Sequence, residues 1–145
     1  MMKHFVRMLA LLLTALLLMT ALTSCAPVPA KDADQALKAL EDADYIAVKD
    51  TRVLPATFKL LGVDLTAVVA GTNIFTNDEG DLVTDYVGIF YFADDASAKK
   101  AMEEVEKYAA DDKESEENLS SDWVSPTRAG NIIYYGTKNA IKAAK

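Results

Sequence analysis

The predicted fold depends mainly on one apolar stretch, Leu82-Val83-Thr84-Asp85-Tyr86-Val87-Gly88-Ile89-Phe90-Tyr91-Phe92-Ala93. Its side chains alternate with the two-residue period of a β-strand. The two sets are Tyr86, Phe90 and Phe92 on one side and Val87, Ile89 and Tyr91 on the other. Because both sets are apolar, the stretch predicts a central strand that is covered on both faces for much of its length.

The stretch before this strand predicts its hairpin partner. Leu65 to Thr76 is rich in β-branched residues, which favour extended structure. Asn77-Asp78-Glu79-Gly80-Asp81 lies between the two strands and has the residue types of a turn. The two segments and their turn are therefore predicted to form a β-hairpin.

Shorter helices and strands are predicted before and after this hairpin in the sequence. The patterns predict helices at 32–43, 55–61, 94–110 and 138–145, strands at 45–49, 123–127 and 131–135, and a solvated acidic loop at 111–122. From Tyr45 onward the order is β, short α, β, β, α, β, which is the order of a ferredoxin-like fold. We therefore predict an α+β domain: a small sheet with helices packed on one face, in ferredoxin-like βαββαβ order with extra terminal elements. The alternative is another α+β sheet in which Pro55 to Leu61 forms only a turn.

The N-terminus has the pattern of an export signal. Lys3, His4 and Arg7 precede Met8 to Leu22, an uncharged apolar run of 15 residues. As a helix this run would be about 22 Å long, which is short for a bilayer core of about 30 Å. Residues 1–24 are therefore predicted to be a signal peptide, and an uncleaved signal anchor is the alternative.

Leu22-Thr23-Ser24-Cys25 at the end of this run resembles the lipobox of bacterial lipoproteins. The resemblance implies cleavage before Cys25, lipid on its sulfur, and attachment to the extracytoplasmic face of the cell membrane. An intramolecular disulfide is excluded because the chain has one Cys, and an exposed free thiol is the remaining alternative. Residues 25–30 would form a lipid-anchored tether and residues 31–145 a single domain. Residues 91–95 and 131–141 also loosely resemble small uncharacterised lipoproteins of Gram-positive bacteria.

Charge and composition exclude several classes of function. Without the signal, residues 25–145 carry 13 Lys and Arg against 22 Asp and Glu, a net charge of −9. This charge argues against nucleic acid as a partner. The single His is His4, inside the signal, so the mature chain cannot build a Ser-His-Asp triad or a His- or Cys-based metal centre. No cofactor is predicted.

Carboxylates are the remaining chemical groups, and their pattern is typical of solvated surface. Adjacent acids such as Glu103-Glu104 and Glu116-Glu117 lie on polar helix faces or in loops. The turn at 77–81 fails the EF-hand spacing, because Phe75 would stand at the first ligand position. A looser cation site there or in the acidic loop is left open.

Four apolar residues are candidate partner contacts: Phe58, Leu60, Leu61 and Trp123. On a helix Leu54, Phe58 and Leu61 share one face, and Leu60 points nearly opposite. Either both sides of this helix are covered or Leu60 faces water, and burial is the favoured interpretation. Trp123 follows the acidic loop and is either exposed or half-buried.

Three functions are compatible with these features. The first is a lipid-anchored extracytoplasmic protein that acts as a non-enzymatic binding or interaction module, with a protein partner in the cell envelope. The second is a carboxylate-dependent enzyme or accessory factor acting on envelope polymers, which requires two acids in a deep cleft. The third is a one-domain solute-binding lipoprotein.

Overall fold

The computed structural model describes residues 26–145, which fold into five strands and four helices. The predicted signal peptide and Cys25 lie outside the described residues. The strands are β1 (Ile46–Asp50), β2 (Leu65–Thr76), β3 (Leu82–Phe92), β4 (Trp123–Ala129) and β5 (Ile132–Thr137). The helices are α1 (Ala33–Asp42), α2 (Val53–Leu60), α3 (Asp95–Ser115) and α4 (Lys138–Ala143). Within this part of the chain, no helix has the length and apolar character needed to cross a membrane.

All five strands form one open antiparallel sheet in the order β1-β2-β3-β5-β4. β3 is central: it pairs with β2 along the predicted hairpin, from Thr76↔Leu82 to Leu65↔Phe92, and with β5 on its other side. Phe90 and Ile89 are almost completely buried on opposite faces. The prediction of a central strand covered on both faces is therefore confirmed.

Helices cover both faces of the sheet. On the first face, α1 and α4 pack through Leu40 and Ile141 against Val69, Val87 and Ile89. On the second face, α2 and α3 pack through Phe58 and Val105 against Val68, Phe90 and Tyr135. The prediction that helices lie on one face is wrong, because β3 and β5 carry apolar side chains on both sides and one helical layer buries only one of them.

The ferredoxin-like arrangement is not confirmed by the strand order. The predicted succession of elements along the chain is present, but β1 pairs with the next strand β2, and the two are antiparallel. For β1 and β2 to be parallel, the connection between them would have to carry the chain back along the full length of the sheet. The eight-residue helix α2 spans only about 12 Å. β2 therefore starts at the end of the sheet where β1 stops.

The helix ends follow the capping residues. Asp32 accepts a hydrogen bond from the Gln35 amide at 3.0 Å, and Asp94 accepts one from the Ser97 amide at 2.7 Å, so α1 and α3 begin where the sequence predicts. α3 continues to Ser115, five residues beyond its predicted end at Ala110. The solvated loop predicted at 111–122 is consequently shorter, since its first residues are helical.

Contacts near the chain ends hold the start of the domain to its last helix. The Ala30 amide donates a hydrogen bond to the Ala144 carbonyl at 2.8 Å, and the Tyr91 hydroxyl donates to the Ala30 carbonyl at 2.8 Å. Ala30 is buried by these contacts. Pro29 is buried as well, so the predicted tether is packed on the domain from Pro29 onward.

Candidate functional site

The four predicted contact residues do not form one surface. Phe58 has no exposed surface and lies at the centre of an aromatic cluster on the second face. Its ring centroid is 5.8 Å from that of Phe90, 6.3 Å from Phe92 and 5.9 Å from Tyr108. The assignment of Phe58 as a partner contact is wrong, because its position on α2 faces the sheet.

Leu60 is 89% exposed and Leu61 is 50% exposed. The favoured interpretation, that Leu60 is buried, is therefore wrong: α2 is covered on its sheet-facing side only. Val53 is 71% exposed and Ala56 is also exposed. Val53, Ala56 and Leu60 follow the spacing of one helix face. We call these three residues the α2 outer stripe.

Trp123 packs within the protein. Its indole stacks on the Tyr86 ring, with centroids 6.3 Å apart and planes 5° from parallel, and it lies 6.0 Å from the Tyr135 ring. Trp123 is half-buried, which is one of the two predicted alternatives. Trp123 thus packs at the edge of the core on the second face, against Tyr86 and Tyr135. It is not part of the α2 outer stripe.

One carboxylate on the second face joins two tyrosines. Asp112 accepts hydrogen bonds on a single oxygen from the Tyr86 hydroxyl at 2.8 Å and from the Tyr135 hydroxyl at 2.5 Å. Burial raises the pKa of both tyrosines well above the ordinary range, and the Asp112 charge adds to that shift. Both hydroxyls therefore remain protonated donors, which bind the end of α3 to the sheet.

A second carboxylate is buried on the first face. Asp85 is 4% exposed and accepts hydrogen bonds from the Tyr45 hydroxyl at 3.1 Å and the Thr137 hydroxyl at 2.9 Å. The Ser120 hydroxyl donates to the same carboxylate. Burial and the Asp85 charge raise the pKa of Tyr45 well above its ordinary range. Three neutral hydroxyls therefore satisfy this buried acid.

Both carboxylate clusters hold the 116–122 segment and its flanks in place. Thr84 exchanges backbone hydrogen bonds with Asn118 and Ser120 at 2.9 and 3.0 Å, next to the Ser120 contact with Asp85. The prediction of a solvated acidic loop is wrong at residues 112 and 120, whose side chains point into the fold. Hydroxyl donors bind both oxygens of Asp85 and one oxygen of Asp112, so these two acids hold the segment to the sheet.

The turn at 77–81 is held by hydrogen bonds between its own polar groups. Asn77 accepts hydrogen bonds on its side-chain oxygen from the Glu79 amide at 3.0 Å and the Asp81 amide at 2.9 Å. Over residues 26–145, no group of three or more His, Cys, Asp or Glu side chains is placed to hold a metal ion. These two hydrogen bonds explain the Asn at position 77.

The groove between α2 and α3 contains the adjacent acids Glu103 and Glu104. Glu104 forms an exposed ion pair with Lys107 at 3.3 Å, and Glu103 is exposed to solvent. Leu61 and Val63 form the apolar side of this groove. Both acids lie on the outer surface of α3, where Glu103 is exposed and Glu104 is half-buried.

The comparisons with known proteins give no assignment. No protein-family model matches the chain, and no match is found among curated proteins or solved structures.

Sequence reasoning missed Asp85 and Asp112 as organising residues, although a signal for each is present. Asp85 occupies an inward position between Val83 and Val87 in a strand that is otherwise apolar there. Asp112 continues the buried stripe of α3, which includes Ala98, Ala101, Val105 and Ala109. An acid at an inward position indicates a polar partner across the core.

Proposed function

We propose that this protein is a lipid-anchored extracytoplasmic interaction module without enzymatic activity, whose partner is a protein of the cell envelope. The single observation that carries the interaction role is the α2 outer stripe, an apolar helix face turned to solvent. The lipobox-like Leu22-Thr23-Ser24-Cys25 supports the anchor. The net charge of −9 for residues 25–145 supports a partner other than nucleic acid.

The α2 outer stripe contributes nothing to the core, so core packing does not explain its apolar residues. Phe58 and Leu54 fill the sheet-facing side of α2. Val53 and Leu60, at 71% and 89% exposure, extend away from the sheet. Burying a leucine side chain completely against a partner yields about 1.5–3 kcal/mol. A short helix with apolar residues on both sides is suited to contact the core on one side and a second molecule on the other.

Leu60→Asp tests the α2 outer stripe. Because Leu60 is exposed, we expect the free energy of unfolding to change by no more than about 0.5 kcal/mol, while partner binding is lost. The measurement is crosslinking in intact cells followed by identification of captured proteins. Leu82→Asp is the matched control, since Leu82 is 62% exposed on a different element, β3, and should keep the partner. An unchanged set of partners for Leu60→Asp would contradict the proposed role of the stripe.

Cys25→Ser tests the anchor. We expect the wild-type protein to fractionate with membranes and to carry a lipid on an N-terminal Cys25, as mass spectrometry would show. The variant should lose the modification and either keep its signal or leave the membrane fraction, because a serine hydroxyl does not replace the thiol that is lipidated. An unmodified wild-type chain beginning at Met1 in the membrane would refute the anchor and leave the α2 test unaffected.

A further inference from the structure

The basic residues near the end of the sequence are separated from its acids. All 22 Asp and Glu residues lie between Asp32 and Asp122, whereas residues 123–145 contain four Lys and Arg and no acid. Lys138 and Lys142 lie in α4, and Lys145 follows the residue that caps this helix. α4 therefore carries a local positive charge in a chain whose net charge is negative.

The lysines of α4 are accessible to an external partner. Ile141 and Ala144 are buried on the first face of the sheet, while all three lysines are exposed. Within residues 26–145, none of the three forms an ion pair. The residue before Lys31, Ala30, donates its amide to the Ala144 carbonyl, and Lys31 is exposed as well. We call these four cations the α4 lysine patch: Lys31, Lys138, Lys142 and Lys145.

The tether leaves the domain beside this patch. Pro29 is buried, and Ala30 bonds to Ala144 and to the Tyr91 hydroxyl on the first face. Four residues, 25–28, precede Pro29 in the tether, and an extended chain spans at most about 3.6 Å per residue. Lipid on Cys25 would therefore place the bilayer within about 14 Å of Pro29. The start of α1 and the end of α4 then lie next to the membrane.

We propose that the α4 lysine patch binds the anionic headgroups of the bilayer that anchors the protein. The inference rests on the lipid anchor of the proposed function and adds a second contact with the same membrane. Each lysine near an anionic bilayer strengthens binding about fivefold. Because the anchor keeps the patch at the surface, a few such contacts are sufficient to orient the domain.

The acids of the domain leave the patch positive. Two acids lie beside it: Asp32, next to Lys31, and Asp122, whose carbonyl accepts a hydrogen bond from the Lys138 amide. Of the three acids in α1, two form ion pairs with lysines. The seven acids of α3 lie beyond the sheet, two packed layers away at about 10 Å each. Physiological salt screens charges beyond about 8 Å.

This orientation turns the α2 outer stripe away from the membrane. α4 covers the first face of the sheet and α2 covers the second. With the bilayer on the α4 side, the α2 outer stripe stays open to a protein of the envelope. The bilayer contact and the proposed protein contact therefore use opposite sides of the domain.

Short-range fluorescence quenching tests the docking. The full chain, lipidated in cells and purified, is placed in vesicles of about two-thirds phosphatidylcholine and one-third phosphatidylglycerol that contain a headgroup-nitroxide lipid. A bimane label is attached at Asn139→Cys on α4 or at Glu106→Cys on α3, and both positions are exposed. Lipid blocks the Cys25 thiol, so the label reacts with the new cysteine. We expect several-fold stronger quenching at position 139 than at position 106.

Charge removal tests the lysines themselves. The triple variant Lys138→Gln, Lys142→Gln and Lys145→Gln should weaken docking about 100-fold, so that quenching at position 139 falls to the level at position 106. Salt at 1 M, where the Debye length is about 3 Å, should do the same while the lipid keeps the chain on the vesicle. The matched control removes the same charge from exposed lysines of α2 and α3 and should keep the docking: Lys59→Gln, Lys99→Gln and Lys113→Gln. Circular dichroism verifies that both triple variants fold.

Two results would overturn the inference: equal quenching at positions 139 and 106, or quenching at position 139 that the α4 triple variant does not reduce. If that variant instead loses a protein partner in intact cells with no change in quenching, the patch binds an acidic protein and bilayer docking is wrong. A chain that carries no lipid and leaves the vesicles would refute the anchor itself, and this inference with it. Failure of the docking alone leaves the chain on the vesicles, so the two failures are distinguishable.

Discussion

Gly136→Ala should lower the free energy of unfolding by at least about 4 kcal/mol, which is exceptionally large for a single substitution. Gly136 lies in β5 opposite Val87 of β3, with a φ of +134°. A Cβ atom there would lie 2.1 Å from the Tyr86 carbonyl oxygen and 2.8 Å from the Val87 Cα. Both contacts are with backbone, so no side-chain rotation relieves them. Two central strands would have to separate.

Equilibrium urea unfolding of residues 26–145, followed by circular dichroism, measures this effect. Since typical domains have only about 5–15 kcal/mol of stability, we expect the variant to be largely unfolded or insoluble. Gly80→Ala is the matched control: Gly80 also has a positive φ, +87°, but no atom lies within 4 Å of an added Cβ. It should cost only about 1–2 kcal/mol. Similar losses for both variants would show that backbone conformation, and not the close strand approach, sets the cost.

Phe58→Ala should cost about 3–5 kcal/mol, the range for truncating a buried aromatic side chain. Phe58 has no exposed surface and contacts Phe90, Phe92 and Tyr108, so its removal leaves a cavity where α2 meets the sheet. Alanine favours helix, which slightly offsets the loss.

The urea midpoint of Phe58→Ala compared with Leu60→Ala separates core from surface on the same helix. Leu60→Ala should change the unfolding free energy by no more than about 0.5 kcal/mol, since Leu60 is 89% exposed. Comparable losses for the two variants would mean that the outer side of α2 is covered in the folded protein.

Periodicity predicted local structure well. The two-residue alternation around Phe90 gave the central strand with its two buried faces, and the pairing with β2 follows from the turn at 77–81. The helix patterns at 32–43 and 94–110 located two helix starts, where Asp32 and Asp94 cap the helices. These features depend on residues close together in the sequence, so local physical chemistry is sufficient for them.

The strand order and the buried acids depend on distant partners. β5 inserts beside β3 after 39 intervening residues, and periodicity does not specify which strand a segment joins. Asp85 is satisfied by Tyr45 and Thr137, which are 40 and 52 residues away in the sequence. Leu60 also depends on the tertiary structure. Its hydrophobicity favours burial, but no element of residues 26–145 covers it. The sequence named Leu60 as a candidate contact, but the structure was needed to show that it faces solvent while Phe58 is buried.

The insertion of β5 between β3 and β4 also constrains the order in which the sheet forms. The β1–β2–β3 meander lies within residues 46–92, but the other edge of β3 has no partner until Ile132 to Thr137 join it, after 39 intervening residues. Until then the apolar strand β3 is an open edge, so the partly folded chain is exposed to aggregation until its last strand is in place.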